Sequence, residues 1–257
     1  MKRQLSCLFV LSALFAAPLH AAEAALPIRV ILVGDSTMAT RSGYGDALCA
    51  RFTPDTSCIN LARGGRSSGS FRAEGRWDEV QQLLRDSAGY RASYVLVQFG
   101  HNDQPGKPGR STDLVTDFPV NMARYASEVR QLGGVPVLVT PLTRRSFKRA
   151  YLKDDLAPWS AATRKVAHAH KVALLDLNAL SADAVQRMGE QEADTLAMAP
   201  PPPAAPAPAA GAAAEPQGTP KSAFDRTHVG AKGADLFSGM VAREMARLIP
   251  AVAASLK

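Results

Sequence analysis

Ile28-Arg29-Val30-Ile31-Leu32-Val33-Gly34-Asp35-Ser36 decides the fold. The first six residues are an apolar run broken only by Arg29, the pattern of a buried strand. Gly34-Asp35-Ser36 closes that strand with a small turn and leaves a hydroxyl at its C-terminal end. Open α/β sheets keep their sites at that end. Alone, Gly-Asp-Ser also reads as an ordinary turn. Working outward, short apolar runs recur at Cys58–Leu61, Tyr94–Phe99, Val135–Thr140 and Val172–Asp176. Between and after them lie helical patterns at Gly45–Phe52, Trp77–Leu84, Pro119–Leu132, Pro158–His170, Ala179–Gly189 and Ala231–Leu248. Gly133-Gly134 stops one helix just as Val135 begins a strand. Such alternation predicts an α/β fold, a mostly parallel five-stranded sheet covered by helices on both faces. Right-handed crossovers then place Ser36, Gly65, Asn102 and Thr140 on one rim.

The 257 residues suffice for one α/β domain with a large core. Lys2 and Arg3, the apolar stretch from Leu5 to Ala17, and small residues around Ala22 and Ala24 read as a cleaved secretory leader over 1–24. Export to the periplasm or the medium is expected, and residues 25–257 form the domain. No other segment is apolar enough to span a bilayer. Export leaves Cys49 and Cys58, an even count that predicts a disulfide across the first crossover. A loop this short contributes roughly 2–3 kcal/mol in the chain-entropy model; the alternative is two buried thiols. Residues 197–220 are almost entirely Ala and Pro. They cannot build a core and read as a disordered insertion in a surface loop. The full chain carries a net charge of +7. That suits an acidic polymer or a generic soluble surface, and no lysine- and aromatic-rich stripe points to nucleic acid. His168 and His170 lack a third spaced ligand, so neither metal nor cofactor is expected. A monomer is expected.

Three further segments supply what a serine nucleophile needs. A base must take the hydroxyl proton, and a carboxylate must hold that base in one tautomer. His228 is the candidate base and Asp225 the candidate carboxylate, three residues earlier. Asp-x-x-His alone also reads as the N-cap of the Ala231 helix. An ester attack creates an oxyanion that needs preorganised donors. The Ser36 N–H at a helix start, the Gly65 N–H and the Asn102 amide are the candidates. Gly64-Gly65 and Asn102-Asp103 each read as plain turns when taken singly. Arg66, Arg144 and Arg145 lie near the rim and suit carboxylates, or are solvated surface charges.

In chain order, Ser36, Gly65, Asn102 and His228, with Asp225, resemble the four markers and the triad of the SGNH (GDSL-type) hydrolases. The resemblance spans nearly the whole mature chain. It implies a flavodoxin-like three-layer α/β/α sandwich with esterase or lipase activity. Gly34-Asp35-Ser36-Thr37, Gly43-Tyr44-Gly45-Asp46, Gly64-Gly65-Arg66-Ser67, Phe99-Gly100-His101-Asn102-Asp103 and Thr140-Pro141-Leu142-Thr143-Arg144-Arg145 look like the rhamnogalacturonan acetylesterase branch. That branch implies an acetylated pectic polysaccharide or oligosaccharide as substrate. The Ala/Pro segment is foreign to its pattern. A lipase, lysophospholipase or thioesterase on the same scaffold would prefer longer acyl chains. A non-catalytic carbohydrate-binding module would bind without turnover.

Overall fold

A computed structural model describes residues 26–201 and 224–257. The expected leader (1–24) and most of the Ala/Pro insertion lie outside the described residues.

The strand opened by Ile28 is the centre of the fold. β1 (Ile28–Gly34) is buried at every position. It pairs in parallel with β2 (Ser57–Asn60) on one side and β3 (Ala92–Gln98) on the other. β4 (Val135–Val139) and β7 (Ala173–Leu175) extend the sheet in the order β2-β1-β3-β4-β7, every pairing parallel. This is the doubly wound flavodoxin-like order, which reverses between β1 and β3. Successive β1 side chains face opposite layers. Val30 and Leu32 pack with α1 (Gly45–Cys49), α6 (Leu177–Asp194) and α7 (Ala231–Leu248) through Leu48, Val185 and Phe237. Ile31 and Val33 pack with α3 (Arg76–Arg85), α4 (Phe118–Gln131) and α5 (Ala157–Ala169) through Trp77, Tyr125 and Val166. Two apolar layers on one sheet make the three-layer α/β/α sandwich.

The sequence pattern missed the smallest elements: α2 (Ser70–Ala73), α8 (Pro250–Ala253) and an antiparallel hairpin of β5 (Phe147–Lys148) and β6 (Tyr151–Leu152). Each is too short to show a period. The expected Ala179 helix runs on to Asp194 with a break at Gly189 (φ 74°). Cys49 ends α1 and Cys58 lies in β2, with their Sγ atoms 2.06 Å apart.

Asp103 ties the rim loops together. Its fully buried carboxylate accepts from Ser68 N, Ser68 Oγ and Thr112 Oγ1 at 2.6–3.2 Å. Burial outweighs these bonds and raises its pKa to about 6. The native state therefore holds this proton more tightly than the unfolded chain, where carboxyls titrate near ~3.9. Its contribution to stability is present below the unfolded value and is lost as pH rises through about 6. Urea unfolding from pH 4 to 7 should show the wild type losing on the order of 2–3 kcal/mol relative to Asp103→Asn. A constant difference would contradict this role.

Candidate active site

β1 delivers Ser36 to the rim. Gly34 is required there, since a Cβ would stand 2.8 Å from the Gln98 carbonyl of the neighbouring strand. Asp35 then turns the chain: its Oδ1 accepts from Thr37 N at 2.9 Å and Thr37 Oγ1 at 2.8 Å. Its Oδ2 lies 3.2 Å from His101 Nδ1. The expected helix start at Ser36 does not form. Residues 36–44 are a series of turns, and α1 begins only at Gly45. Arg41 takes a φ of 70°, which a right-handed helix does not allow. No helix dipole supports the Ser36 N–H, and that part of the sequence-based expectation is withdrawn.

Ser36 Oγ is 2.8 Å from His228 Nε2. His228 Nδ1 is 2.9 Å from Asp225 Oδ2. Asp225 Oδ1 also accepts the N–H groups of Thr227 (2.7 Å) and His228 (2.6 Å). Burial works against the Asp225 charge, but the His228 N–H, the His228 ring and the Thr227 N–H outweigh it. The carboxyl is held below the usual range. The N-cap alternative is excluded: α7 begins at Ala231, its N-cap is Gly230, and no side chain caps it.

The Asp225–His228 loop is pinned from three elements. Arg226 forms a fork with the Asp194 carboxylate at the end of α6 (2.9 and 2.8 Å). Val229 N donates to Ser42 O at 3.0 Å, within the turns that follow Ser36. Arg145, from the loop after β4, is fully buried. Its Nη2 donates to the carbonyls of both Asp225 (2.9 Å) and His228 (2.7 Å). Burial lowers the Arg145 pKa to about 10, against the pull of Asp225 and Asp194.

Ser36, Gly64, Gly65, Asn102 and His228 share the wall of one cleft of about 450 Å³. Gly65 adopts a φ of 79°, a conformation glycine reaches without strain. Among the described residues, no acceptor engages the Ser36 or Gly65 N–H. Asn102 Nδ2 donates one hydrogen to Arg66 O at 3.0 Å and keeps a second. The arrangement can deprotonate Ser36 through His228 and meet a developing oxyanion with three N–H donors.

Of the three arginines expected to face substrate, Arg144 alone lines the cleft. It is braced by Asp155 Oδ2 (2.6 Å) and Thr227 Oγ1 (3.2 Å). Arg66 does not line the cleft; it turns away to Glu74 (2.9 Å) and to the Gly64 carbonyl (2.7 Å). Arg145 is interior, under the base loop, where no substrate reaches. Two residues the sequence reading passed over, Lys107 and Arg110, line the cleft instead. Their signal was the double Pro-Gly turn of Pro105-Gly106-Lys107-Pro108-Gly109-Arg110, just past β3 on the functional rim.

Replacing Arg145 with Met leaves two interior carbonyls without a donor and loosens the base. Small displacements of this kind cost about 10²-fold in rate, so kcat should fall by that order while KM moves little. Removing the cation also weakens the nearby Asp225 anion, which then protonates at higher pH. The acid limb of kcat/KM should shift upward. Arg145→Lys should restore part of both, and an unchanged pH profile in Arg145→Met would remove Arg145 from this role.

Sheet and cleft together define a hydrolase of the three-layer α/β/α sandwich class. The GDSL-like lipase/acylhydrolase family matches residues 32–236. The chain belongs to that family and is a carboxylic ester hydrolase. Two Bacillus subtilis relatives are each 30% identical to it. The probable rhamnogalacturonan acetylesterase YesY aligns over 66% of this chain and 79% of its own length. The rhamnogalacturonan acetylesterase RhgT aligns over 86% and 91%. Among solved structures, the Bacillus subtilis protein YXIM matches 87% of this chain with a TM-score of 0.66 at 20% identity. This chain spans 57% of that longer protein. A catalytic mutant of the acetylxylan esterase Axe2 from Geobacillus stearothermophilus matches 84% of this chain and 93% of its own, with a TM-score of 0.57 at 14% identity. The two structures show the same fold.

Proposed function

We propose that the chain is an exported serine esterase that removes acetyl groups from a carbohydrate, with acetylated pectin of the rhamnogalacturonan type as substrate. The observation that carries this reading is the Ser36–His228–Asp225 relay, with links of 2.8 and 2.9 Å, opening into a polar cleft. Ser36 Oγ attacks the ester carbonyl as His228 Nε2 takes its proton. Asp225 keeps the Nδ1 proton in place and stabilises the imidazolium. The Ser36 and Gly65 N–H groups and the free Asn102 hydrogen receive the oxyanion. His228 then protonates the departing sugar oxygen, freeing it as a hydroxyl, and water activated by His228 releases acetate from the acyl-enzyme.

The acetylesterase relatives support a sugar ester, and the polar wall of Ser, His, Lys and Arg suits hydroxylated substrate. Residues 1–24 are proposed as the export leader. The 197–220 segment is proposed as an insertion within a single domain, since α7 packs on α1 and returns the chain to the core. Among the described residues no helix is long and apolar enough to cross a membrane. The test is acetate release from acetylated pectin, acetylated xylan and p-nitrophenyl esters of increasing chain length. Preference for acetylated pectin supports the proposal. Preference for long acyl chains moves the protein to a lipase, and binding without turnover makes it a carbohydrate-binding module.

A further inference from the structure

Lys107, Arg110 and Arg144 place three cationic groups on the wall of one cleft, beside Ser36 and His228. Among the described residues, no carboxylate side chain lines that cleft. Asp155 braces Arg144 from outside the lining. The loop bearing the other two is tightly built. Gly106 and Gly109 supply positive φ angles of 82° and 69°. Ser111 Oγ accepts from Lys107 N at 2.9 Å and donates to Gln104 O at 2.8 Å. Arg110 N and Ser111 N both donate to Lys107 O. Lys107 Nζ donates to the carbonyl of His101, directly before Asn102. Arg110 reaches over the oxyanion side of the cleft: a Cβ on Gly65 would stand 3.4 Å from its Nη1. Among the described residues its guanidinium has no hydrogen-bonding or ionic partner.

Cations held together repel one another. The Lys107 ammonium is held below its ordinary range first by burial, then by Arg144 and Arg110, against the weaker pull of Asp35 and Asp103. An anion bound among the three relieves that repulsion. The oxyanion of the reaction already has its own donors in Ser36, Gly65 and Asn102. The second anion must therefore come from elsewhere on the substrate. We infer that Lys107, Arg110 and Arg144 form a carboxylate subsite that holds a uronic acid residue of the substrate next to the ester-bearing sugar. Guanidinium matches carboxylate by paired N–H···O bonds, and the ammonium adds a point charge. The inference rests on the esterase reading and extends it: the cleft selects acetyl esters by the charge of the neighbouring sugar.

The experiment compares kcat/KM for an acetylated uronate-containing oligosaccharide, the same oligosaccharide with its carboxyls methyl-esterified, and acetylated xylo-oligosaccharide. For wild type, the charged substrate should lead the methyl-esterified one by about tenfold or more, and added KCl should shrink that lead. Arg110→Gln and Lys107→Gln should each cut the charged-to-neutral ratio several-fold. Arg187→Gln, a surface charge on α6 paired with Asp183, should leave the ratio unchanged. Equal losses on charged and neutral substrates, or no preference in wild type, would overturn the subsite. Calorimetry of unacetylated oligogalacturonate with Ser36→Ala provides a test independent of turnover. Binding that weakens in Arg110→Gln on the Ser36→Ala background supports the subsite even if no ester is cleaved. Absence of binding overturns it even if the esterase reading stands.

Discussion

Ser36→Ala should lower kcat on acetyl esters by about 10⁴- to 10⁶-fold, and the variant should stay folded. The rate should fall because, among the described residues, no other hydroxyl meets the base. Ser42 shares the cleft, but its Oγ is committed to the Ser36 carbonyl at 2.8 Å. The fold should survive because, among the described residues, the Ser36 Oγ bonds only to His228 Nε2, and both residues line the cleft. Residual catalysis comes from the oxyanion donors and from substrate positioning. Steady-state kinetics on p-nitrophenyl acetate, with thermal unfolding alongside, checks both halves. Near-wild-type turnover in a folded Ser36→Ala protein would remove Ser36 from the mechanism.

Asp225→Asn should cost about 10⁴-fold in kcat with little change in stability. The two carboxylate oxygens have separate duties. Oδ1 holds the loop by accepting from Thr227 N and His228 N, and Oδ2 faces His228 Nδ1. An asparagine keeps the first duty with its carbonyl oxygen. Its amide then donates toward Nδ1, which forces the imidazole proton onto Nε2. That proton faces Ser36 Oγ, so the ring can no longer accept from it. Asp225→Ala removes both duties, so it should also lower the melting temperature. Equal melting temperatures for the two variants would show that Oδ1 does not support the loop.

The two halves of the relay were legible to different degrees. Ser36 follows from its place: a buried parallel strand ending in Gly-Asp-Ser needs no partner to announce itself. The helix start expected at Ser36 does not form, because Asp35 captures Thr37 and Arg41 takes a left-handed conformation; the helix expected from Gly45 begins there. Asp225 and His228 were legible as a pair at a spacing of three, yet 192 positions separate His228 from Ser36. Their approach depends on a loop locked by Arg226 to Asp194, by Val229 to Ser42 and by Arg145 to two carbonyls. The foreign Ala/Pro segment ends before those locks, so the loop between Asp225 and His228 keeps its geometry.

The sequence by itself determined the parallel sheet and the rim on which the polar motifs gather, and it named the residues proposed to react. Those features rest on local signals: strand and helix periods, glycines where backbone must turn or approach, and residue types that acyl transfer requires. Only the tertiary structure decided which cations line the cleft. Arg144 and Arg145 are neighbours in sequence, yet one lines the cleft and the other is sealed beneath the base loop. Arg66 is drawn aside by Glu74 and its own turn, while Lys107 and Arg110 are swung in by two glycine turns. A long charged side chain on an irregular loop carries no period in the sequence. Its direction is set by which carbonyls and carboxylates the closed loop happens to offer, and those come from segments far away in the chain.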